Sequence, residues 1–484
     1  MNFKSAVNNV NGRNINTTKT TNGMVALTGS ADYCTDLFFK IGASRNRREE
    51  VLEDFINAYY QDAQLALRIL AWARDIRGGA GERQVFKDIM RWLESNDPNS
   101  TLKMIPKIPE LGRWDDLLVF DTPDAKNAAY TLIGAAMKAG DGLVGKWMPR
   151  EKSSKGKIAK ELQVFLGMTP KQYRKTLAEL TRVVENQMCQ GSWDSINFSQ
   201  VPSVASARYK KAFGRHTSKY GEYIQALNRG DEGVKVNASA IFPHDVLKGV
   251  IGWYSNNYSQ NELDHIKHQW DSLPNYVGDS NILPLVDVSG SMSCPVGGSG
   301  SLQCIEVAVS LGLYLADKNL GAFRDVFMSF SSNPVLVSLK GGNIIEKIHT
   351  MLKSHWNMST DLEKAFKEIL RVAVANDVPS DEMPKKVIIF SDMQFNRCIT
   401  NSSHTAFSTI TKEYRRKGYE VPQIIFWNLN AHNNTPVSFT QQGTALVSGF
   451  SPALLKSLLS DTLEDFTPRN IMLQTVMVDR YKVI

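Results

Sequence analysis

Asp287-Val288-Ser289-Gly290-Ser291 places one carboxylate and two hydroxyls at alternate positions of a tight turn. These are hard oxygen donors with little total charge. Mg²⁺ takes such donors in near-octahedral geometry and keeps part of its water, so the pattern predicts a divalent-cation loop. Capping of an ordinary turn by Asp and Ser is the plainer alternative. A phospho-accepting aspartate would need a second acid two positions on, where Ser289 stands. The glycine-rich stretches Gly78-Gly79-Ala80-Gly81-Glu82-Arg83 and Gly297-Gly298-Ser299-Gly300-Ser301 lack the GK[ST] of a phosphate-binding loop and read as turns. No histidine pairs with Ser or Cys in a triad-like pattern, so no catalytic site is expected and a metal-dependent hydrolase is disfavoured.

A second chemistry is carried by charge. The chain has 484 residues and a net charge of +7, yet Lys146 to Lys219 alone holds 15 Lys/Arg against 5 Asp/Glu. A basic segment inside a near-neutral protein is the footprint of a polyanion-binding surface, with solvated helix faces as the alternative. On charge alone the candidate RNA contacts are Lys152, Lys155, Lys157, Arg174, Lys175, Arg208, Lys210, Lys211, Arg215 and Lys219. Tyr209 and Phe213 interleave with the last cluster. Aromatics can stack on bases, but their i, i+4 spacing favours a core face.

The elements that position these groups change character along the chain. Up to about residue 270 the pattern is helical: Leu65, Ile69 and Trp72 form one amphipathic stripe, and Val85, Ile89 and Trp92 another. Further helices are expected at Asp124–Ala139, Lys157–Leu166, Pro170–Met188, Ser203–Ala212 and His244–Tyr254. Short loops between helices suggest HEAT-like units, although no clean period is visible. From about Tyr276, strand-like runs at 282–286, 326–330, 335–339, 386–390, 423–427 and 444–447 alternate with helices at 302–316, 343–352, 362–374 and 406–417. That alternation predicts a doubly wound α/β sheet with ligands at the C-terminal strand ends. Asp287 closes the first run, Asp392 follows the fourth, and Ser359-Thr360-Asp361 opens a helix.

In that order, these three pieces resemble the metal-ion-dependent adhesion site of von Willebrand factor A domains. The resemblance implies direct coordination by Ser289, Ser291 and Thr360, with Asp287 and Asp392 acting mostly through hydroxyls or water. It also implies one position left for a partner's carboxylate. A helical region bearing Arg74-Asp75-Ile76-Arg77-Gly78-Gly79-Ala80-Gly81-Glu82-Arg83 ahead of such a domain resembles the Ro60/TROVE RNA-binding proteins. The middle segment looks closer to the DUF2828 family. Its recognisable pieces are Gly112-Arg113-Trp114-Asp115-Asp116, Lys146-Trp147-Met148-Pro149-Arg150-Glu151-Lys152, Trp193, Val201-Pro202-Ser203 and Tyr209-Lys210-Lys211-Ala212-Phe213. Implied is a HEAT-like ring with an adhesion-type domain, binding small structured or misfolded RNA. Trp114 and Trp147 are expected to be packing anchors, and the 74–83 turn an internal ion-pair motif.

The expected division is a flexible segment over 1–28, an all-α HEAT-like domain over 29–275 and the adhesion-type α/β domain over 276–484. Cys34, Cys189, Cys294, Cys304 and Cys398 form no CxxC and read as free or buried thiols. With no apolar run of about 18 residues and no apolar signal core, a cytoplasmic location is expected. The leading expectation is an RNA-binding scaffold with Mg²⁺ at the adhesion site. A protein-binding adaptor that works through that site without RNA is the alternative.

Overall fold

The structure, a computed structural model, describes residues 17–19, 25–45, 47–251, 258–296, 300–330, 333–353, 361–394, 406–431, 435–459 and 466–483. A short antiparallel pair, β1 (Thr17–Lys19) and β2 (Val25–Leu27), precedes the first helices. The principal sheet comprises β3 (Ile282–Asp287), β4 (Val326–Phe330), β5 (Val335–Ser338), β6 (Lys386–Ser391), β7 (Gln423–Asn428) and β8 (Thr444–Ser448). Its order is β5-β4-β3-β6-β7-β8, parallel throughout except for the antiparallel edge strand β5. All six residues of β3 are buried, as the continuous apolar run requires of a strand covered on both faces. Edge strand β5 instead shows a partly exposed pattern.

Every strand read from the sequence is present, and the helices between them are Cys304–Lys318, Ile344–Lys353, Leu362–Ala375 and Ala406–Arg416. Gly312 lets the Cys304–Lys318 helix lie close on β3, because a Cβ there would collide with the Val286 side chain. On the other side Phe366, Ile369, Leu370 and Tyr414 pack over Leu285, Val387, Ile389 and Phe426.

The division of the chain differs from the expected one. One unit comprises residues 1–66, 242–257 and 273–478, and the other 67–241, 258–272 and 479–484. The Tyr33–Ile41 helix therefore belongs with the sheet and not with the helical unit. It docks beside β8, where the Ser448 hydroxyl donates to the Phe38 carbonyl at 2.8 Å and the Gly42 N–H donates to Ser448 Oγ at 3.0 Å. Asn428 Nδ2, at the end of β7, donates to the Phe39 carbonyl.

The second unit is helical, and its ion pairs account for the motifs that mark it. Arg74, 1% exposed, donates through Nε and Nη2 to Asp116 Oδ2 at 2.8 and 2.5 Å. Arg83 Nε and Lys87 Nζ lie 3.1 and 3.2 Å from Asp116 Oδ1, and Arg83 also pairs with Asp115. Gly112 leaves room for this arrangement, since a Cβ there would sit 2.6 Å from Arg74 Nε. Asp75 accepts from Arg480 and from the Tyr481 hydroxyl. Trp114 is buried, and Arg113 lies over the Trp147 ring at 4.3 Å.

Two helices differ from expectation. Pro170–Met188 is broken into Pro170–Leu180 and Val184–Cys189. Thr181 and Val183 between them are extended, and the Thr181 hydroxyl donates back to the Leu177 carbonyl at 2.6 Å. β-branched residues tolerate extended backbone well, and the hydroxyl competes with the helix ladder. The expected His244–Tyr254 helix is reduced to Pro243–Val246, after which Lys248 and Ile251 bridge; residues 252–257 lie outside the described residues. Among the described residues no helix is long and apolar enough to cross a membrane.

Candidate functional site

The sheet reverses its winding between β3 and β6, and a doubly wound sheet opens a crevice at that switch point beyond the strand ends. Val286 pairs with Phe390, so the next residues, Asp287 and Ser391, emerge side by side. Ser391 Oγ donates to Asp287 Oδ2 at 2.6 Å, and the Ser289 N–H donates to Asp287 Oδ1 at 3.0 Å. This turns the chain so that Ser289 Oγ and Ser291 Oγ lie 3.0 Å apart. Asp392 accepts from the Gln394 N–H at 3.2 Å, and the Ser291 hydroxyl also reaches its carboxylate. Four of the five expected ligands, Asp287, Ser289, Ser291 and Asp392, are thus gathered at one place. Thr360 lies outside the described residues, and its neighbour Asp361 caps the Leu362–Ala375 helix by accepting from the Lys364 N–H at 3.0 Å.

Asp287 is 0% and Asp392 1% exposed, and among the described residues neither forms an ion pair with Lys or Arg. Burial, and for Asp287 the facing charge of Asp392, pushes both carboxyls up. Two buried carboxylates held by neutral donors, with two hydroxyl oxygens beside them, form a donor set that a small hard dication fits. Ser391 had no place in the sequence pattern. Only strand register shows that it orients Asp287.

The basic candidates stand on the helical unit. Lys152, Lys155, Lys157, Arg174, Lys175, Arg208, Arg215 and Lys219 are exposed, and Lys211 is half-buried with its ammonium 4.6 Å from the Tyr258 ring centre. Some are engaged: Arg174 pairs with Glu151 at 2.9 Å, Lys175 with Glu179 at 3.7 Å, and Lys219 donates to the Asp194 carbonyl. Lys210 departs from the expected surface role. It is 7% exposed, donates to the Ala207 carbonyl at 2.9 Å, and burial pulls its pKa down to about 8. Phe213 is in the core and Tyr209 packs against it, with its hydroxyl on Glu185. A groove on the same unit, lined by Lys146, Arg182, Asn186, Gln187, Asn197 and Gln200, places amide groups beside two cations. Charge counting had not singled out its residues.

An open, mostly parallel sheet that reverses its winding between β3 and β6 places the sheet unit in the doubly wound α/β class. A family model described as a domain of unknown function, DUF7788, matches residues 281–479, nearly the span of that sheet. A second, described as a domain of unknown function, DUF2828, matches residues 20–115 and 141–283. The chain is 29% identical over 514 residues to the uncharacterized protein L728 of Acanthamoeba polyphaga mimivirus, a match covering 94% of this chain and 86% of that protein. The crystal structure of the Deinococcus radiodurans RO (RSR) protein aligns over 90% of this chain and 93% of its own, with 14% identity and a TM-score of 0.36.

Proposed function

We propose that the protein is an RNA-binding scaffold of the Ro60/TROVE type. The observation that carries this reading is the display of exposed cations between Lys152 and Lys219 on a helical unit whose buried Asp75 and Asp116 are already paired with other cations. Exposed lysines and arginines bind phosphates and release counterions, and aromatic or amide groups nearby add base contacts. The sheet unit, in this reading, holds Mg²⁺ through Ser289, Ser291 and Thr360, with Asp287 and Asp392 orienting the hydroxyls and balancing charge. The metal supplies an open position for a carboxylate of a protein partner.

The test is purification without nuclease, sequencing of RNA retained through a moderate-salt wash, and titration of that RNA at several salt concentrations. Affinity should fall with a log–log slope of about −0.9 for each neutralised phosphate of a duplex, or about −0.7 for a single strand. Changing Lys152, Lys155 and Lys157 together to Glu should abolish retention. Salt-independent binding, or full retention by the triple variant, refutes the reading. The adaptor alternative rests on the gathered oxygen donors alone. It requires Mg²⁺-dependent capture of a protein by nucleic-acid-free material, lost in Asp287→Ala.

A further inference from the structure

Immediately behind the Ser289–Ser291 turn, the chain makes a narrow hairpin. The Gly290–Ser293 turn ends at Cys294, whose N–H donates to the Ser291 carbonyl at 3.1 Å. The Cys304 N–H then donates to the Cys294 carbonyl at 3.1 Å, Pro295 bridges Gln303, and the Val296 N–H donates to the Leu302 carbonyl at 2.9 Å. The two cysteines therefore face each other across the neck of the hairpin, with their sulfurs 3.8 Å apart. Disulfides need Cα atoms about 4.4–6.8 Å apart, which residues paired across two strands satisfy, and a sulfur–sulfur bond of about 2.05 Å. A small side-chain rotation closes the remaining gap.

The two thiols differ as an attacking and a resolving pair differ. Cys294 is half-buried, and Asn430 Nδ2 donates to its sulfur at 3.1 Å. Cys304 is 0% exposed, and its thiol donates to the Leu429 carbonyl at 3.6 Å. A thiol that solvent can reach beside a second, buried cysteine is placed to oxidise reversibly, the second cysteine resolving the first.

We propose that Cys294 and Cys304 form a reversible disulfide, made by hydrogen peroxide, that fixes the turn carrying Ser289 and Ser291. Cys294 sulfur attacks peroxide: an S–O bond forms, the O–O bond breaks, and the departing hydroxide takes the Cys294 proton to become water. Cys304 sulfur then attacks the sulfenic sulfur; the S–O bond breaks, and the second hydroxide leaves as water with the Cys304 proton. Two thiols lose two electrons and two protons, and one peroxide becomes two waters. Thioredoxin-type dithiols or dithiothreitol reverse it by exchange.

The test treats the full chain with peroxide, blocks residual thiols with N-ethylmaleimide, and maps peptides without reduction. The expected result is one peptide joining Cys294 to Cys304, two hydrogens lighter than the sum of its parts and released by dithiothreitol. Hydrogen exchange of the 288–296 amides should slow by about ten-fold on oxidation, since a cross-link of a short loop removes open states. In Cys304→Ser, Cys294 should instead hold a sulfenic acid that dimedone labels, with no slowing. Separate alkylation of both cysteines after peroxide, over-oxidation of Cys294 without the cross-link, or unchanged exchange in the cross-linked protein overturns the proposal.

Discussion

Removing the Asp116 carboxylate should reveal how much of the helical unit depends on its buried ion cluster. In Asp116→Ala, Arg74 keeps a guanidinium that is 1% exposed and loses both hydrogen bonds, at 2.8 and 2.5 Å. Its Nη1 already lacks a partner, so no second acceptor takes up the charge. Arg83 and Lys87 lose contacts at 3.1 and 3.2 Å in the same step. Breaking a buried pair by deleting one partner costs about 3–5 kcal/mol, because the remaining charge is stranded. In a unit of about 200 residues, where 1 kcal/mol shifts Tm by about 2–4 °C, that is a fall of roughly 6–20 °C. Arg77→Ala is the internal comparison. Arg77 is exposed, and the side-chain bond that the substitution removes, from Nη1 to the Glu110 carbonyl at 2.9 Å, is worth about 1 kcal/mol. Scanning calorimetry with urea unfolding followed by helix signal measures both. A shift for Asp116→Ala no larger than that for Arg77→Ala would refute the assignment of stability to the cluster.

Acid should act through the same residues. Burial opposes ionisation of Asp116, but the Arg74 and Lys87 charges outweigh it; for Asp75 the Arg480 bond does the same, so both carboxyls titrate below the ordinary range. Their stabilisation is complete above the unfolded pKa of about 3.9 and is lost as pH falls through the lower folded values. Urea midpoints should hold from neutrality to about pH 5 and then drop, with a shallower drop in Asp116→Asn. Gly312→Ala should cost about 1–3 kcal/mol by urea unfolding, because Val286 in the central strand has little room to move. Mg²⁺ at 100 times its Kd should stabilise the sheet unit by about 2.7 kcal/mol in thermal melts; chelator, Asp287→Ala and Ser289→Ala should each remove that gain.

The strands and the oxygen donors were legible because each rests on a short local signal. An apolar run ending in Asp or Ser marks a buried parallel strand, and the order of runs delivers Asp287 and Asp392 to the same sheet edge. What an amphipathic stripe does not specify is the surface that covers it. The Tyr33–Ile41 helix was therefore grouped with its sequence neighbours, although it packs against a strand some 400 residues away. Lys210 was misplaced for a different reason. Ser203, Ser206, Ala207, Lys210 and Phe213 form one buried stripe, so spacing puts Lys210 inward while its charge suggests the opposite. The Cys294–Cys304 pair was invisible to spacing rules because a hairpin neck, and no short motif, brings the two together.

The placement of Phe38 against Ser448 sets the order in which the chain can mature. Synthesis at about 5–20 residues per second leaves the Tyr33–Ile41 helix without its strand for roughly 20–80 s. During that interval Leu37, Phe38, Phe39 and Ile41, all fully buried at the end, have the Arg48–Gln61 helix beside them but lack the cover of β8. The helical unit waits about as long for Arg480 and Tyr481 to reach Asp75. Nascent chains stalled before residue 444 should therefore present an apolar helix that chaperones of the ribosome exit can hold, and expression should suffer most from mutations that slow the last forty residues.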